Sequence, residues 1–260
     1  MPDAETPRFP DLAGKAVLIT GASTGIGAAL AAAYAAQGCR VAIHYNQSAD
    51  RAEDLAKRLR DAGAEIALLQ GDFGKSSDVR RVVEQAAEGF GGLDGLINNA
   101  GGMLGRVAFE DWTDAQYDAV MDLNVRSVIT ACHAALPHLR RSKGFIVNTS
   151  SIAARNGGGT GSGLYASSKA FVSNMTRGLA KELIRDGIRV NAVAPGVIAT
   201  PFHERYSTPA MMEQMAATVP QGRVGTAQDC VGAFLFLSSE AMSGYVIGQI
   251  IEVNGGQLMP

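Results

Sequence analysis

The sequence predicts an α/β fold: a single-domain, Rossmann-type doubly wound parallel sheet of about seven strands with helices on both faces. Three observations point there. Short β-branched runs alternate with helical patterns over most of the 260 residues, an order that demands crossovers and therefore parallel strands covered on both faces. A hydrophobic content of 47% against 18% charged residues excludes disorder and supplies a buried core. No internal repeat, low-complexity linker or proline-rich boundary divides the chain, so residues 1–260 read as one domain, with 1–10 as a loose N-terminal extension.

The elements follow in order. AVLIT (Ala16 to Thr20) reads as a buried strand and Ile26 to Gln37 as an alanine-rich helix closed by Gly38. RVAIHY (Arg40 to Tyr45) is the second strand. A helix from Asp50 to Asp61 follows, with Leu55 and Leu59 on one face and its charges on the other. EIALLQ (Glu65 to Gln70) is the third strand, then comes a helix from about Ser76 to Phe90, and LDGLINN (Leu93 to Asn99) is a short fourth strand. Thr113 to Arg141 is helical, with DLNVRS (Asp122 to Ser127) starting or kinking its longer part. GFIVNTS (Gly144 to Ser150), a long helix over Leu164 to Arg185 and IRVNAVAP (Ile188 to Pro195) come next. A loop and small helix cover roughly 196–218, Ala227 to Ser238 is helical, and QIIEVN (Gln249 to Asn254) is the last strand.

Composition excludes several function classes. The net charge of −2 offers no basic field for nucleic acid. No apolar run approaches the ~20 residues of a membrane span, and the N-terminal MPDAETPRFP lacks the basic-then-apolar order of a signal peptide. Cys39, Cys132 and Cys230 lack metal-site spacing and read as buried small hydrophobes in a reducing, cytoplasmic compartment. The 31 glycines, about 12% against ~7% in average usage, have no collagen-like period and must serve turns and close backbone approaches.

Thr20 to Gly27 reads TGASTGIG, where the first strand turns into the first helix. Gly21, Gly25 and Gly27 allow a tight turn and a close approach to a pyrophosphate, whose charge the helix N-terminus favours; Ser23 and Ile26 lie on the same loop. The spacing is G-x-x-x-G-x-G rather than G-x-G-x-x-G. A rival occupies the same residues, since Gly21 to Gly25 also matches G-x-S-x-G, the nucleophile elbow of α/β-hydrolases, with Ser23 as nucleophile. That reading needs an acid and then a histidine downstream, yet none of His44, His133, His138 and His203 lies in the last 50 residues. At the end of the second strand, Tyr45, Asn46, Gln47 and Ser48 stand where a dinucleotide enzyme selects its adenosine ribose. An acid there would repel a 2′-phosphate. Its absence before Asp50, with donors on Asn46, Gln47 and Ser48, tilts the cofactor towards NADP, with NAD as the alternative.

Tyr165-Ala-Ser-Ser-Lys169 puts a phenol and an ammonium one helical turn apart on one face. Proton transfer near neutrality needs the phenol pKa of ~10 to fall by about 3 units, roughly 4 kcal/mol. A cation ~5 Å away at an effective dielectric of ~20 contributes about 3 kcal/mol, so the magnitudes allow a tyrosine–lysine acid/base pair.

TGASTGIG, NNAG (Asn98 to Gly101), Leu123-Asn124, NTSS (Asn148 to Ser151), YASSK and PGVIAT (Pro195 to Thr200) occur in that order. Together they resemble the short-chain dehydrogenase/reductase superfamily over almost the whole chain, most like its beta-ketoacyl-acyl-carrier-protein reductases and sugar dehydrogenases. The resemblance implies that Tyr165 protonates a carbonyl oxygen or, in reverse, deprotonates an alcohol. It implies that Lys169 lowers the tyrosine pKa and bonds the nicotinamide ribose, that Ser151 holds the substrate oxygen, and that Asn124 binds a relay water. Asp72 would meet the adenine amine, Asn99, Ala100 and Gly101 would line the adenosine side, and Pro195, Gly196 and Thr200 would border the carboxamide. A helix-capping or turn role is the plainer alternative for Asp72. A homotetramer is implied as well, with the helices over 113–141 and 164–185 between subunits. No metal is implied.

The chain departs from the family pattern at three places. Tyr165 lies 14 residues after Ser151, one more than usual, with the extra residue in NGGGTGSG (Asn156 to Gly163); Ser150 thereby becomes an alternative to Ser151. Thr24 stands where many NADP-preferring members carry a basic residue, and Asn254 replaces the aspartate of the usual DGG. The expected function is reduction of a ketone to a secondary alcohol, or the reverse, by hydride transfer. A 3-oxoacyl thioester-like substrate is favoured over a sugar or polyol. Arg155, Arg205 and Arg223 are candidates to meet an anionic substrate, each with a solvated surface role as the plainer reading. A dinucleotide sensor without turnover is the remaining alternative class.

Overall fold

A computed structural model describes residues 8–259. Seven parallel strands, β1 (Ala16–Ile19), β2 (Arg40–Tyr45), β3 (Ile66–Gln70), β4 (Gly95–Asn98), β5 (Phe145–Thr149), β6 (Arg189–Pro195) and β7 (Ile250–Val253), form one sheet in the order β3-β2-β1-β4-β5-β6-β7. The chain builds outward from β1 to β3, then returns and places β4 on the other side of β1. That reversal opens a crevice beyond the C-terminal ends of β1 and β4, where ligands bind in sheets of this kind. Register runs unbroken across the switch, with Leu18 opposite Ala42 on one side and Leu96 on the other.

Alternation along β1 shows the two layers. Val17 and Ile19 face a core shared with α1 (Gly25–Ala36), α2 (Ala49–Asp61) and α10 (Ala227–Ser238). Ala16 and Leu18 face the other core, built by α3 (Ser76–Phe90), α5 (Ser127–Ser142) and α7 (Gly163–Leu183). The alanines of α1 let it lie close against α10, where the buried Tyr34 hydroxyl bonds Phe234 O at 3.2 Å. All three cysteines are free and buried, and burial pushes each thiol up to about 12.

Three local features differ from the sequence reading, and a fourth gives the break expected at Asp122 to Ser127 its form. The last residues of the extension expected to be loose are docked: Pro10–Leu12 form a 3-10 turn, and Phe9 packs on the core and donates its N–H to Gln37 Oε1 at 2.7 Å. Residues 1–7 of that expectation lie outside the described residues. The helix expected over 113–141 is α4 (Asp114–Met121), a π-helical turn (Asp122–Arg126) and α5. Asn124 causes the break, because its buried amide bonds Val120 O at 3.0 Å and both polar backbone atoms of Gly102. The stretch 196–218 holds two helices, α8 (Pro201–Tyr206) and α9 (Pro209–Ala217), each opened by a Thr-Pro pair that supplies the N-cap and a proline at the first position. Short helices α6 (Ala153–Asn156) and α11 (Glu240–Ser243) complete the set.

Candidate active site

A cleft of about 780 Å³ opens at the switch point. The loop after β1 forms one wall and is held rigidly from behind. Thr20 Oγ1 accepts the N–H groups of Asn99 and Ala100, each at 2.9 Å, and Asn99 Nδ2 donates to Thr20 O and Gly21 O, each at 3.0 Å. Gly21 has φ +62°, and a Cβ there would lie 2.9 Å from Ala100 Cα. Thr24 makes no side-chain cap to α1, so the first-turn N–H groups have no side-chain acceptor. A glycine loop without a Cβ barrier, leading into uncapped helix donors, is the cradle a pyrophosphate requires.

His44 locks this loop from β2. Gly21 N–H donates to its Nδ1 at 3.0 Å, so the proton sits on Nε2, which donates to Gly71 O at 3.1 Å. Phe73 stacks on the imidazole at 3.7 Å between centroids. Burial pushes the His44 pKa down to about 4. The unfolded chain therefore takes up this proton first as pH falls from 6.5, and stability drops until about pH 4, then levels. The full loss is on the order of 3 kcal/mol. Urea midpoints between pH 7.5 and 4.5 should fall in wild type and fall less in His44→Gln; parallel curves would show that His44 is not the linked group. Both ring nitrogens being engaged, His44 has none to offer Ser23 as a base.

Seventeen of the twenty residues given a catalytic or cofactor role from sequence meet on this cleft. They are Gly21, Ser23, Gly25, Ile26, Gly27, Asn46, Gln47, Ser48, Asn99, Ala100, Gly101, Ser151, Tyr165, Lys169, Pro195, Gly196 and Thr200. Three do not line it. Tyr45 alternates with His44 along β2 and points to the other side. The Asp72 carboxylate is engaged locally, accepting Gly74 N–H at 3.0 Å and pairing with Lys75 at 3.5 Å; its neighbour Phe73 reaches the cleft instead. Asn124 sits behind Gly101, where both its amide hydrogens go to Gly102 O and Val120 O. Sequence reasoning passed over His44, Phe73, Arg106, Phe202 and His203, all on the lining. His44 and Phe73 each adjoin a residue it chose; nothing in the pattern marks the others.

At the floor, the Ser151 hydroxyl lies beside the Tyr165 phenol, whose pKa it pulls down, and accepts Ala153 N–H at 3.1 Å. The Ser150 hydroxyl, the alternative to Ser151, bonds Ser173 Oγ at 2.6 Å and Lys169 O at 3.2 Å. Between the two residues the chain turns through Gly157, Gly158 and Gly161, all at positive φ. Buried Lys169 directs Nζ to Thr149 O at 2.8 Å, 5.8 Å from the Tyr165 ring centroid. Gly101 clears this space, since a Cβ there would stand 3.2 Å from Nζ and 2.7 Å from Asn124 Oδ1.

Electrostatics depart here from the spacing argument. Burial pushes the phenol up to about 12 against the pull of the Ser151 hydrogen bond, and pushes Lys169 down to about 8. Desolvation of both groups outweighs their mutual effect. Near neutral pH the pair therefore holds a neutral phenol, able to donate a proton. Helix α8 closes the cleft from above, with Phe202 5.5 Å from the Tyr165 ring and 5.0 Å from Tyr206.

Known proteins share this arrangement and sequence. The family model described as Enoyl-(Acyl carrier protein) reductase matches residues 21–257. A 3-oxoacyl-[acyl-carrier-protein] reductase FabG of Staphylococcus aureus is 35% identical over 250 residues, covering 94% of this chain and 98% of its own. The solved structure of the NADH-dependent reductase A1-R', responsible for alginate metabolism, superposes with a TM-score of 0.90 at 42% identity, covering 97% of this chain and all of that one. A short chain dehydrogenase from Burkholderia cenocepacia J2315, in complex with NADP, gives a TM-score of 0.86 at 37% identity, over 95% and 99% of the two chains. With the sheet order, the glycine loop and the serine–tyrosine–lysine floor already in place, this breadth of likeness settles the family: the chain belongs to the short-chain dehydrogenase/reductase superfamily of oxidoreductases.

Proposed function

We propose that the protein is a single-domain NAD(P)(H)-dependent carbonyl reductase in which Tyr165 is the general acid. The meeting of Ser151, Tyr165 and Lys169 on the floor of the cleft carries this reading. A nicotinamide dinucleotide, when bound, supplies the hydride or takes it back. Ser151 holds the carbonyl oxygen by its hydroxyl, and Tyr165 passes its proton to that oxygen as the alcohol forms. Lys169, fixed on Thr149 O, keeps a positive charge beside the phenol and favours the tyrosinate left behind. Phe202 excludes water over the reacting groups. In reverse, the same tyrosine takes the alcohol proton. A sensor without turnover would need none of these three side chains.

Tyr165, Lys169, Gly21, Ser23, Gly25, Ile26, Gly27, Asn99, Ala100, Gly101, Pro195, Gly196 and Thr200 hold the dinucleotide in this reading, and Asn46, Gln47 and Ser48 meet its adenosine ribose. NADP is the favoured form, because no acidic side chain lines the cleft and Ser48 caps nothing at the start of α2. NADPH and NADH titrations followed by nicotinamide fluorescence test it. Tighter NADPH binding is expected; tighter NADH binding would overturn the preference, and binding of neither would overturn the function.

A 3-oxoacyl thioester is the favoured substrate type, supported by the FabG relatives. A sugar-derived ketone is the second reading, supported by A1-R'. Exposed Tyr117 on α4 and Phe171 on α7 support a homotetramer with these helices between subunits. No helix among the described residues is long and apolar enough to cross a membrane; a cytoplasmic location is part of the same proposal.

A further inference from the structure

The cleft wall carries three cationic side chains, Lys169, Arg205 and Arg106, and no carboxylate. Lys169 serves the floor, and Arg205 also lines the small hollow beside Gln47 and Ser48, at the adenosine end. Arg106 stands at the opposite end. Its Nε donates to Tyr206 O at 2.8 Å and its Nη1 to Thr160 O at 3.0 Å, so the guanidinium is clamped between α8 and the glycine turn before α7. A guanidinium carries five N–H donors. Those on Nη2 have no acceptor among the described residues, and no Asp or Glu among them pairs with Arg106. Both of its partners are neutral carbonyls, so no carboxylate compensates its charge, which adds to burial in lowering the pKa of neighbouring His203.

Of the arginines the sequence offered for an anion, two are already taken. Arg155 pairs with Glu252 at 3.1 Å, and Arg223 holds Asp229 through two bonds of 2.7 and 2.9 Å. Arg106 is instead fixed, charged and unpaired. It lies across Phe202 from Tyr165, because Phe202 touches both the Tyr165 ring and Tyr206, whose carbonyl Arg106 holds.

From this placement, and resting on the carbonyl-reductase reading, we infer that the substrate is an oxo acid whose own carboxylate, several bonds from the reacting carbonyl, is bound by Arg106. A planar fork pre-set by two backbone bonds matches a carboxylate and loses little freedom on meeting it. Phe202 spans the separation between the two ends of such a molecule. This class fits the sugar-derived reading in its acidic form, and Arg106 is then the residue that sets specificity.

The test compares matched ketones with and without the charge: 5-keto-D-gluconate against L-sorbose, and 4-oxo and 5-oxo acids against their methyl esters. Wild type should reduce the acids with kcat/KM about 10- to 100-fold above the neutral partners, as a charge-assisted bond predicts. Arg106→Gln should collapse that ratio, mainly through KM, and Arg106→Lys should restore part of it. Equal turnover of acid and neutral ketone by wild type, or a ratio that survives in Arg106→Gln, overturns the inference and leaves the reductase reading standing. Failure to reduce any ketone with dinucleotide bound overturns that reading and this one with it. Fluorescence titration of Arg106→Gln with NADPH separates the remaining alternative. If cofactor affinity falls by the same factor as the ratio, the arginine serves a cofactor phosphate and the inference is wrong.

Discussion

Tyr165→Phe should reduce kcat by about 100- to 10,000-fold, the range a positioned general acid contributes, while the dissociation constant for NADPH stays nearly unchanged. The variant removes one oxygen. Its ring still packs against Phe202 5.5 Å away, so the cleft keeps its shape and the loss falls on proton donation. The Ser151 hydroxyl loses its phenol partner but still accepts Ala153 N–H at 3.1 Å, which limits structural damage. Single-turnover measurement of nicotinamide absorbance reads the effect directly. Retained activity would place the acid elsewhere and end the mechanism proposed for this floor.

Gly27→Ala should abolish measurable cofactor binding and lower stability by about 1–3 kcal/mol, the ordinary cost of an extra methyl in packed surroundings. A Cβ at this position would run into Gly21 O and stand 2.6 Å from Asn99 Nδ2 and 2.8 Å from Ala22 Cα. None of these is the end of a flexible side chain free to swing away: two are backbone, and Asn99 Nδ2 is held by Thr20 O and Gly21 O. The loop must therefore move, and with it the donors that meet the pyrophosphate. Gly89→Ala is the matched control, because on α3 a Cβ there meets nothing within 4 Å; it should stabilise by roughly 0.5–1 kcal/mol. Thermal melts and NADPH titrations on both variants check the contrast. A Gly27→Ala protein that binds NADPH normally would show that the loop is not the pyrophosphate cradle.

The sheet was legible because its central strands are buried on both faces and announce themselves as apolar runs. Arg40–Tyr45 and Ser76–Phe90 match the reading to the residue. The strand order was not written locally, since it depends on which edge each crossover chooses. The floor of the site was legible from six short motifs, whereas the different hydrogen-bond partners of the Ser150 and Ser151 hydroxyls appear only in the folded chain. One small helix was read over 196–218 where α8 and α9 both stand, although Thr200-Pro201 and Thr208-Pro209 are both start signals. Phe202 and Arg106 could not have been found, because what marks them is proximity across the cleft between segments about 100 residues apart. The tyrosine–lysine electrostatics were half legible: spacing shows the attraction, whereas desolvation needs the burial of the folded chain.

The π-helical turn at Asp122–Arg126 bears on how this helix can change by insertion and deletion. Such a turn absorbs one added residue without rotating the helix beyond it, so α5 keeps its apolar face on the sheet. Deleting one residue there would heal the ladder into an ordinary helix, smoother than the native one. The healed helix would no longer thrust Asn124 out to strap Gly102 by its N–H and C=O, at 2.9 and 2.8 Å. The backbone of Gly101, which faces Lys169, would then hang from one side only. The irregular turn thus couples the register of α5 to the placement of the loop that faces Lys169.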